Sequence, residues 1–287
     1  MNSTASVAEN LAYVEQQAAL AKQANVQALL LPENFAQMPT HAEPLHIEQP
    51  GEGLVQDCLK SLAKEMSMFI IAGSVPIKVK PNARPFSRSL LISDDGELIA
   101  KYDKIHLFDV DLADGQRYRE SATYKPAEVD ASEPVSIVDT NFAKLGLTIC
   151  YDLRFPEMYQ KLAQLGAQIV TVPAAFTYDT GKAHWQTLLQ ARAIENQVFV
   201  VAAAQVGTHQ NKRQTWGHSM IIDPWGNIIT QFGAENDRNS GVNPDTDVGA
   251  EPDSSTQSGV GLVIGDIDLT FMHQVRTEFP VLSHRRL

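Results

Sequence analysis

Residues 144–173 read KLGLTICYDLRFPEMYQKLAQLGAQIVTVP, and the order of elements in this stretch decides the fold class. Lys144 to Cys150 is an apolar run of strand type, ending where the irregular Tyr151-Asp152-Leu153-Arg154 begins. Pro156 to Leu165 reads as a helix with Gly166 as its stop signal. Gln168 to Pro173 follows as a buried strand.

The same rhythm extends outward. Leu11, Val14, Ala18 and Ala21 recur at helical spacing, so residues 7–24 read as an amphipathic helix behind the cap-type residues Asn2-Ser3-Thr4. Val26 to Leu31 is a strand stopped by Pro32. Leu54 to Met66 is a helix with Leu54, Cys58 and Leu62 on one stripe. Phe69 to Val75 is a strand, and Asp-Gly turn chemistry makes residues 89–100 a hairpin. Ile137 to Asp139 is a strand. Ala183 to Glu195 is a helix and Val198 to Gln205 a strand. Residues 218–232 form a second hairpin, Gly261 to Asp268 a last strand and Phe271 to Glu278 a short helix. Strands alternating with helices and hairpins imply an α/β layered domain. Residues 234–259 stand apart: rich in Gly, Asn, Asp, Ser and Pro, they read as a long mobile loop inserted into one domain over 1–287.

Composition narrows the function. The 287 residues carry 34 acidic and 23 basic groups, a net charge of −11, of which the 234–259 stretch supplies −5. That balance argues against nucleic acid, which needs a basic footprint. The longest apolar run, Val198 to Ala204, is far too short to span a membrane. The N-terminus lacks the pattern of a secretory signal, and two cysteines cannot staple so long a chain. A cytoplasmic protein is the expectation.

Cys150 ends an apolar strand, and ligands of α/β sheets gather outside the carboxyl ends of strands. A buried structural cysteine is the commoner fate of a free thiol, and Cys58, with leucine partners, reads that way. A papain-type pair needs a histidine base, but His106, His184 and His218 sit in no base-like signature. The eight histidines show no ligand pairing, so no metal is expected. Glu33 also follows a strand, though a solvated loop acid is its ordinary role. Lys104 is by itself one charge in a mixed run.

Taken in order, Leu30-Leu31-Pro32-Glu33-Asn34-Phe35, Tyr102-Asp103-Lys104-Ile105-His106-Leu107-Phe108-Asp109 and Leu147-Thr148-Ile149-Cys150-Tyr151-Asp152-Leu153-Arg154-Phe155-Pro156-Glu157 resemble the glutamate, lysine and cysteine motifs of the nitrilase superfamily of carbon–nitrogen hydrolases. The resemblance covers nearly the whole chain except residues 234–259. Ala202-Ala203-Ala204-Gln205-Val206-Gly207, followed by Thr208-His209 and Lys212-Arg213, resembles its deaminated glutathione amidase branch; the omega-amidase branch tends to differ there.

The resemblance implies an αββα sandwich, two mixed sheets flanked by helices. It implies Cys150 as nucleophile, Glu33 as general base, Lys104 facing the tetrahedral oxygen and Glu120 as a second glutamate that positions the lysine. It implies an amidase on a small carboxylated amide, most closely deaminated glutathione, without a cofactor, and a homodimer or larger homo-oligomer. An omega-amidase on 2-oxoglutaramate-type monoamides and a silent binding protein on the same fold are the rivals. The N–H of Tyr151 is a second oxyanion donor, Arg154 a bidentate carboxylate partner unless it pairs with Asp152 or Glu157, and Phe176 and Thr177 pocket wall. His184 and Trp185 are expected to pack the helix. Family members usually begin with an apolar strand ahead of the Asn-Ser-Thr region. Met1 stands at the end of that strand, so the first strand is expected to be absent and a sheet edge exposed.

Overall fold

Successive residues of a strand point to opposite faces, and the strand Phe69–Ile77 shows what each face meets. Phe69 and Ile71 belong to one apolar core, Ile70 and Ala72 to another. A sheet whose two faces enter two cores must lie inside the molecule. This is what a computed structural model shows; it describes residues 1–40, 42–111, 117–129, 135–232 and 261–286.

The first sheet orders β1 (Ala28–Leu30), β2 (Phe69–Ile77), β3 (Phe86–Ile92) and β4 (Leu98–Asp103) as β1-β2-β3-β4. β1 and β2 are parallel and the remaining pairs antiparallel. A small hairpin follows, β5 (Asp109–Asp111) and β6 (Arg117–Arg119). The second sheet contains β7 (Ser136–Asp139), β8 (Lys144–Leu147), β9 (Ile169–Ala174), β10 (Phe199–Ala204), β13 (Met220–Ile222) and β14 (Ile228–Gln231), in the order β14-β13-β10-β9-β8-β7. The hairpin β11 (Val206–Thr208) and β12 (Gln214–Trp216) lies between β10 and β13 in the chain. Helices α1 (Val7–Gln23) and α2 (Leu54–Met66) cover the first sheet through Val14, Ala18, Leu59 and Ala63. Helices α3 (Pro156–Gln164) and α4 (Tyr178–Asn196) cover the second through Tyr159, Leu162, Trp185 and Leu189. Phe69, Ile71 and Leu91 meet Leu145 and Leu147 between the sheets. The result is the expected αββα sandwich, and α5 (Leu269–Glu278) follows at its end. Among the described residues no helix is long and apolar enough to cross a membrane.

Several sequence expectations change. Ser6, not Asn2-Ser3-Thr4, caps α1, its hydroxyl accepting from the N–H of Glu9. The buried stripe of α2 is Val55, Leu59, Leu62 and Ala63, while Leu54 is exposed and Cys58 only half-buried, its thiol directed at Glu15. The cause is the helix start: the buried Glu48 carboxylate accepts from the N–H groups of Val55 and Gln56 at 2.6 and 3.2 Å and so sets the rotation of the first turn. Gly261 to Asp268 is not a strand. β1 is the outermost strand of its sheet, and a cleft of about 470 Å³ separates its outer edge from residues 261–267, so neither finds the other as a ladder partner. The acidic stretch 234–259 lies outside the described residues.

One close approach fixes where β1 delivers the chain. A Cβ added at Gly73 would lie 2.1 Å from the carbonyl oxygen of Pro32 and 2.3 Å from that of Leu31. The residue after Pro32 is Glu33, so Gly73 lets the strand end press against β2 and carry Glu33 inward. Gly73→Ala is expected to destabilise the fold by about 1–3 kcal/mol, the usual cost of overpacking, and to depress amide hydrolysis. Thermal unfolding and activity assays on the purified variant check this; an unchanged Tm would show that the crossing has slack.

Candidate active site

Three strand ends and one short turn bring the predicted residues together. Glu33 follows β1 and Pro32, Lys104 follows β4, Cys150 begins a 3-10 turn after β8, and Glu120 begins another after β6. The β8 ladder ends at Leu147 rather than at Cys150, because the chain turns there: Cys150 has φ of +49°. That left-handed conformation costs a non-glycine residue about 1–2 kcal/mol and marks a sharp elbow of the kind found at functional positions.

The Lys104 ammonium is the centre of the group. It donates to Glu33 Oε1 at 2.7 Å and to both Glu120 oxygens at 2.9 Å. Glu33 Oε2 accepts the N–H of Ala175 at 2.9 Å, and the Cys150 thiol also hydrogen-bonds to the Glu33 carboxylate. Glu120 Oε2 accepts the N–H of Phe108 at 2.6 Å. Lys104, Glu33 and Cys150 are each less than a tenth exposed, at 1, 4 and 7%.

Burial and charge set the protonation states. Burial pushes the Glu33 carboxyl up, but the Lys104 charge and hydrogen bond outweigh it and hold the group below its usual value. For Glu120 burial prevails over Lys104, and repulsion from Glu33 adds to it, so its pKa rises. Burial and the Glu33 charge drive the Cys150 thiol well above its usual value, against the opposing Lys104. Burial opposes the charge on Lys104, yet Glu120 and Glu33 together raise it well above an ordinary lysine. The cluster therefore holds a cation, at least one carboxylate and a neutral thiol in contact with its proton acceptor. That is the equipment for nucleophilic attack with concerted proton removal.

The four residues lie on the wall of a cavity of about 500 Å³. Tyr151, Arg154, Phe176 and Thr177 also line it. Arg154 pairs with neither Asp152 nor Glu157: it contacts His184 Nδ1 at 3.2 Å and stacks over the Phe176 ring at 5.2 Å. Trp185 is fully buried and donates to the His218 carbonyl at 2.9 Å, as a packing residue does, whereas His184, against expectation, is exposed rather than packed and touches Arg154 of the cavity wall. Among the described residues no group of His, Cys, Asp and Glu side chains is arranged to hold a metal ion.

Two residues were invisible as site components. Arg213, on the unread β11–β12 hairpin, lines the cavity and donates to the Ala175 carbonyl. Its signal was the Lys212-Arg213 pair, which carried a resemblance but no role. Asp152 is fully buried and joins two motifs: it accepts from Tyr102 Oη at 2.7 Å, Ile149 N at 2.8 Å, His106 N at 3.2 Å, and meets His106 Nδ1 at 2.7 Å. It thus ties the strand end bearing Lys104 to the turn bearing Cys150, while His106 stacks on Phe155 at 3.6 Å. Asp152→Asn keeps the shape but replaces one acceptor oxygen by a donor facing N–H or O–H groups. It is expected to cost about 1–3 kcal/mol of stability and to lower kcat more than it raises KM. Kinetics and melting of the variant test this, and a rise in KM alone would assign Asp152 to binding instead.

Comparison with known proteins finds similar chains and similar folds. The model of the carbon-nitrogen hydrolase family matches residues 1–276. A deaminated glutathione amidase of Yersinia enterocolitica is 42% identical over 286 residues, covering 97% of this chain and 88% of that protein. The crystal structure of the C. elegans NitFhit protein superposes with a TM-score of 0.79 at 33% identity; it covers all of this chain, which spans 63% of that longer one. Nit3 of Saccharomyces cerevisiae, a member of branch 10 of the nitrilase superfamily, gives a TM-score of 0.78 at 26% identity, covering 100 and 93% of the two chains.

Proposed function

This chain belongs to the carbon–nitrogen hydrolase family of the nitrilase superfamily and is an amidase, and on that premise we propose that it hydrolyses deaminated glutathione through a Cys150 thioester. The observation that carries the reading is the buried thiol in hydrogen-bonding contact with a Lys104-bound Glu33 at the wall of a cavity with arginines. The relative from Yersinia enterocolitica, covered over most of both chains, supports the substrate.

The chemistry runs through these residues. The Cys150 sulfur attacks the amide carbonyl as its proton passes to Glu33. Charge then grows on the carbonyl oxygen, where the Lys104 ammonium and the Tyr151 N–H, in the first turn of the 3-10 segment and without an intrahelical partner, stabilise it. The C–N bond breaks, Glu33 returns the proton to the departing nitrogen, and an acyl thioester remains. Water, losing a proton to Glu33, cleaves the thioester to the acid and restores the thiol. Glu120 holds Lys104 in place. Each charge and proton is carried by the thiol, carboxylates and ammonium of this chain.

We place this enzyme in the cytoplasm, where its two free cysteines suit a reducing environment. We also read it as a homodimer or larger homo-oligomer. An exposed apolar patch supports self-association: Trp225 and Phe279 meet edge to face at 5.9 Å, and Ile194 lies beside Gly226.

Cys150→Ala is expected to lower kcat about 10³-fold or more in an assay of amine release from deaminated glutathione, with 2-oxoglutaramate as comparison. Retained activity overturns the nucleophile, and a large preference for 2-oxoglutaramate makes the protein an omega-amidase.

The pH profile has a distinct expected form. The Glu120 carboxyl, raised, takes up its proton before Glu33, lowered, as pH falls. Activity should therefore decline in two steps on the acid side, one above and one below the ordinary glutamate pKa. A single acid step in kcat/KM would contradict this pairing.

A further inference from the structure

Two guanidinium groups reach the cavity without an ion pair among the described residues, Arg154 and Arg213, although the Arg213 charge is near enough to help hold the Glu33 carboxyl down. The other cations on the wall are occupied. Lys104 is held by Glu33 and Glu120, and Arg119 by Asp111 at 2.8 Å. Glu43, a further acid of the lining, sits exposed at the rim. Arg213 is half-buried, donates through Nη2 to the Ala175 carbonyl and lies 5.7 Å from the Tyr118 ring centroid. Its Nε is buried with no hydrogen-bond partner. A buried, unmet donor on a cation is costly, and it lies on a residue that lines the substrate cavity.

The two arginines contact different groups around the reacting atoms. Ala175 connects Arg213 to Glu33: its carbonyl accepts from the guanidinium and its N–H donates to Glu33 Oε2 at 2.9 Å. Arg213 therefore stands on the Glu33 side. Arg154 stands beyond the Cys150 turn, over the Phe176 and Tyr151 rings at 5.2 and 5.9 Å. When the C–N bond breaks, the group that hands back the proton must face the nitrogen. Under the proposed mechanism that group is Glu33, so the amine leaves on the side of Arg213 and the acyl group lies toward Arg154.

We infer that Arg213 is a specificity-determining residue that binds a carboxylate on the departing amine, so that the pocket takes amides bearing an anionic group on both sides of the scissile bond. The acyl carboxylate meets Arg154, and the carboxylate of an amino-acid or peptide amine meets Arg213. In the acylation step the S–C bond forms, the C–N bond breaks, the thiol proton passes through Glu33 to nitrogen, and the amine departs with its carboxylate. A primary amide that releases ammonia offers Arg213 nothing. The inference rests on the amidase mechanism proposed above and adds the leaving group to it. Deaminated glutathione has the required form, since any of its amides separates two carboxylate-bearing ends.

The test uses a matched pair with one acyl group: glutaryl-glycine and glutaryl-glycinamide, which differ only in the charge on the amine. The intact enzyme is expected to favour the glycine compound by about 10-fold or more in kcat/KM, as a charge-assisted hydrogen bond would give. Arg213→Ala should bring that ratio close to one, whatever it does to the absolute rates. Arg213→Lys, which keeps the charge but not the fork, should leave an intermediate ratio and serves if the alanine variant does not fold. Arg154→Ala should lower both rates and leave the ratio standing. Binding of the same pair to the Cys150→Ala chain reads the preference without turnover. A ratio near one in the intact enzyme and in binding, or a ratio that survives Arg213→Ala, overturns the inference. Deaminated glutathione is assayed separately: its failure as a substrate with the glycine preference intact removes the substrate proposed above and leaves Arg213 in its role.

Discussion

An ammonium buried between two carboxylates is the constraint on which the site depends. Lys104 is almost wholly removed from water, and a buried cation persists only with close counter-charge and filled hydrogen bonds. Glu33 and Glu120 supply both. With both carboxylates ionised the cluster already carries one net negative charge, and a thiolate beside it would add a second in a dry place. Cys150 therefore rests as a thiol, its proton directed at Glu33. In the proposed mechanism the sulfur becomes nucleophilic only as that proton leaves, when charge moves to a carbonyl oxygen facing Lys104. The ion cluster thus suppresses the resting thiolate and favours the state in which charge has moved to substrate.

Such a cluster needs parts from distant places in the chain to arrive within hydrogen-bond distance, and the fold provides this through a few rigid connections. Both sheets direct strand ends toward the same cavity. Gly73 permits the close crossing that carries Glu33 inward. Asp152 fastens the end of β4 to the turn after β8, so that Lys104 and Cys150 cannot drift apart without breaking several buried hydrogen bonds. Ala175, at the end of β9, offers its N–H to Glu33. Gln205, also buried, donates to the Glu33 carbonyl at 3.0 Å and holds the Ser3 backbone N–H through its own side-chain oxygen. The residues Asn2-Ser3-Thr4, which look like a helix cap, are in part supports for the glutamate loop.

Much of this was legible, and the limits have physical causes. Helix α1 is legible because burial of one face imposes a pattern on neighbours in sequence, and the strands 69–77 and 199–204 because burial on both sides leaves near-continuous apolar runs. The three motifs revealed Glu33, Lys104 and Cys150 because each sits at a strand's end in a recognisable context. Three-residue strands carry too few residues for alternation to appear, so the hairpin bearing Arg213 went unread. Residues 261–268 failed in the opposite way: their side chains alternate in exposure, yet a strand also needs a ladder partner, and among the described residues no strand pairs with them. On α2 the apolar residues allowed two neighbouring stripes. Glu48, outside the helix, decided between them by fixing its first turn. Asp152 is plainly polar and near the cysteine, but its three partner residues, Tyr102, His106 and Ile149, come from two motifs that only the folded chain brings together.

The same ion cluster also determines what the cavity can ask of a substrate. Lys104 cannot serve as counter-charge for a ligand, because its hydrogen bonds are already directed to Glu33 and Glu120 and its charge is reserved for the reacting oxygen. A ligand carboxylate placed near Glu33 without another cation would meet repulsion in a poorly solvated space. Carboxylated substrates need positive charge beyond Lys104, and in the proposed reading it comes from Arg154 and Arg213, which form no ion pair among the described residues. Guanidinium suits this duty better than a second ammonium, since its fixed fork favours a carboxylate in one orientation and it can rest on an aromatic face while the site is empty. Phe176 and Tyr118 lie close enough to the two arginines for that purpose. In the proposed mechanism catalysis and recognition thus use separate cations, and the separation would let the one protein bind an anionic amide while keeping its buried lysine for the transition state.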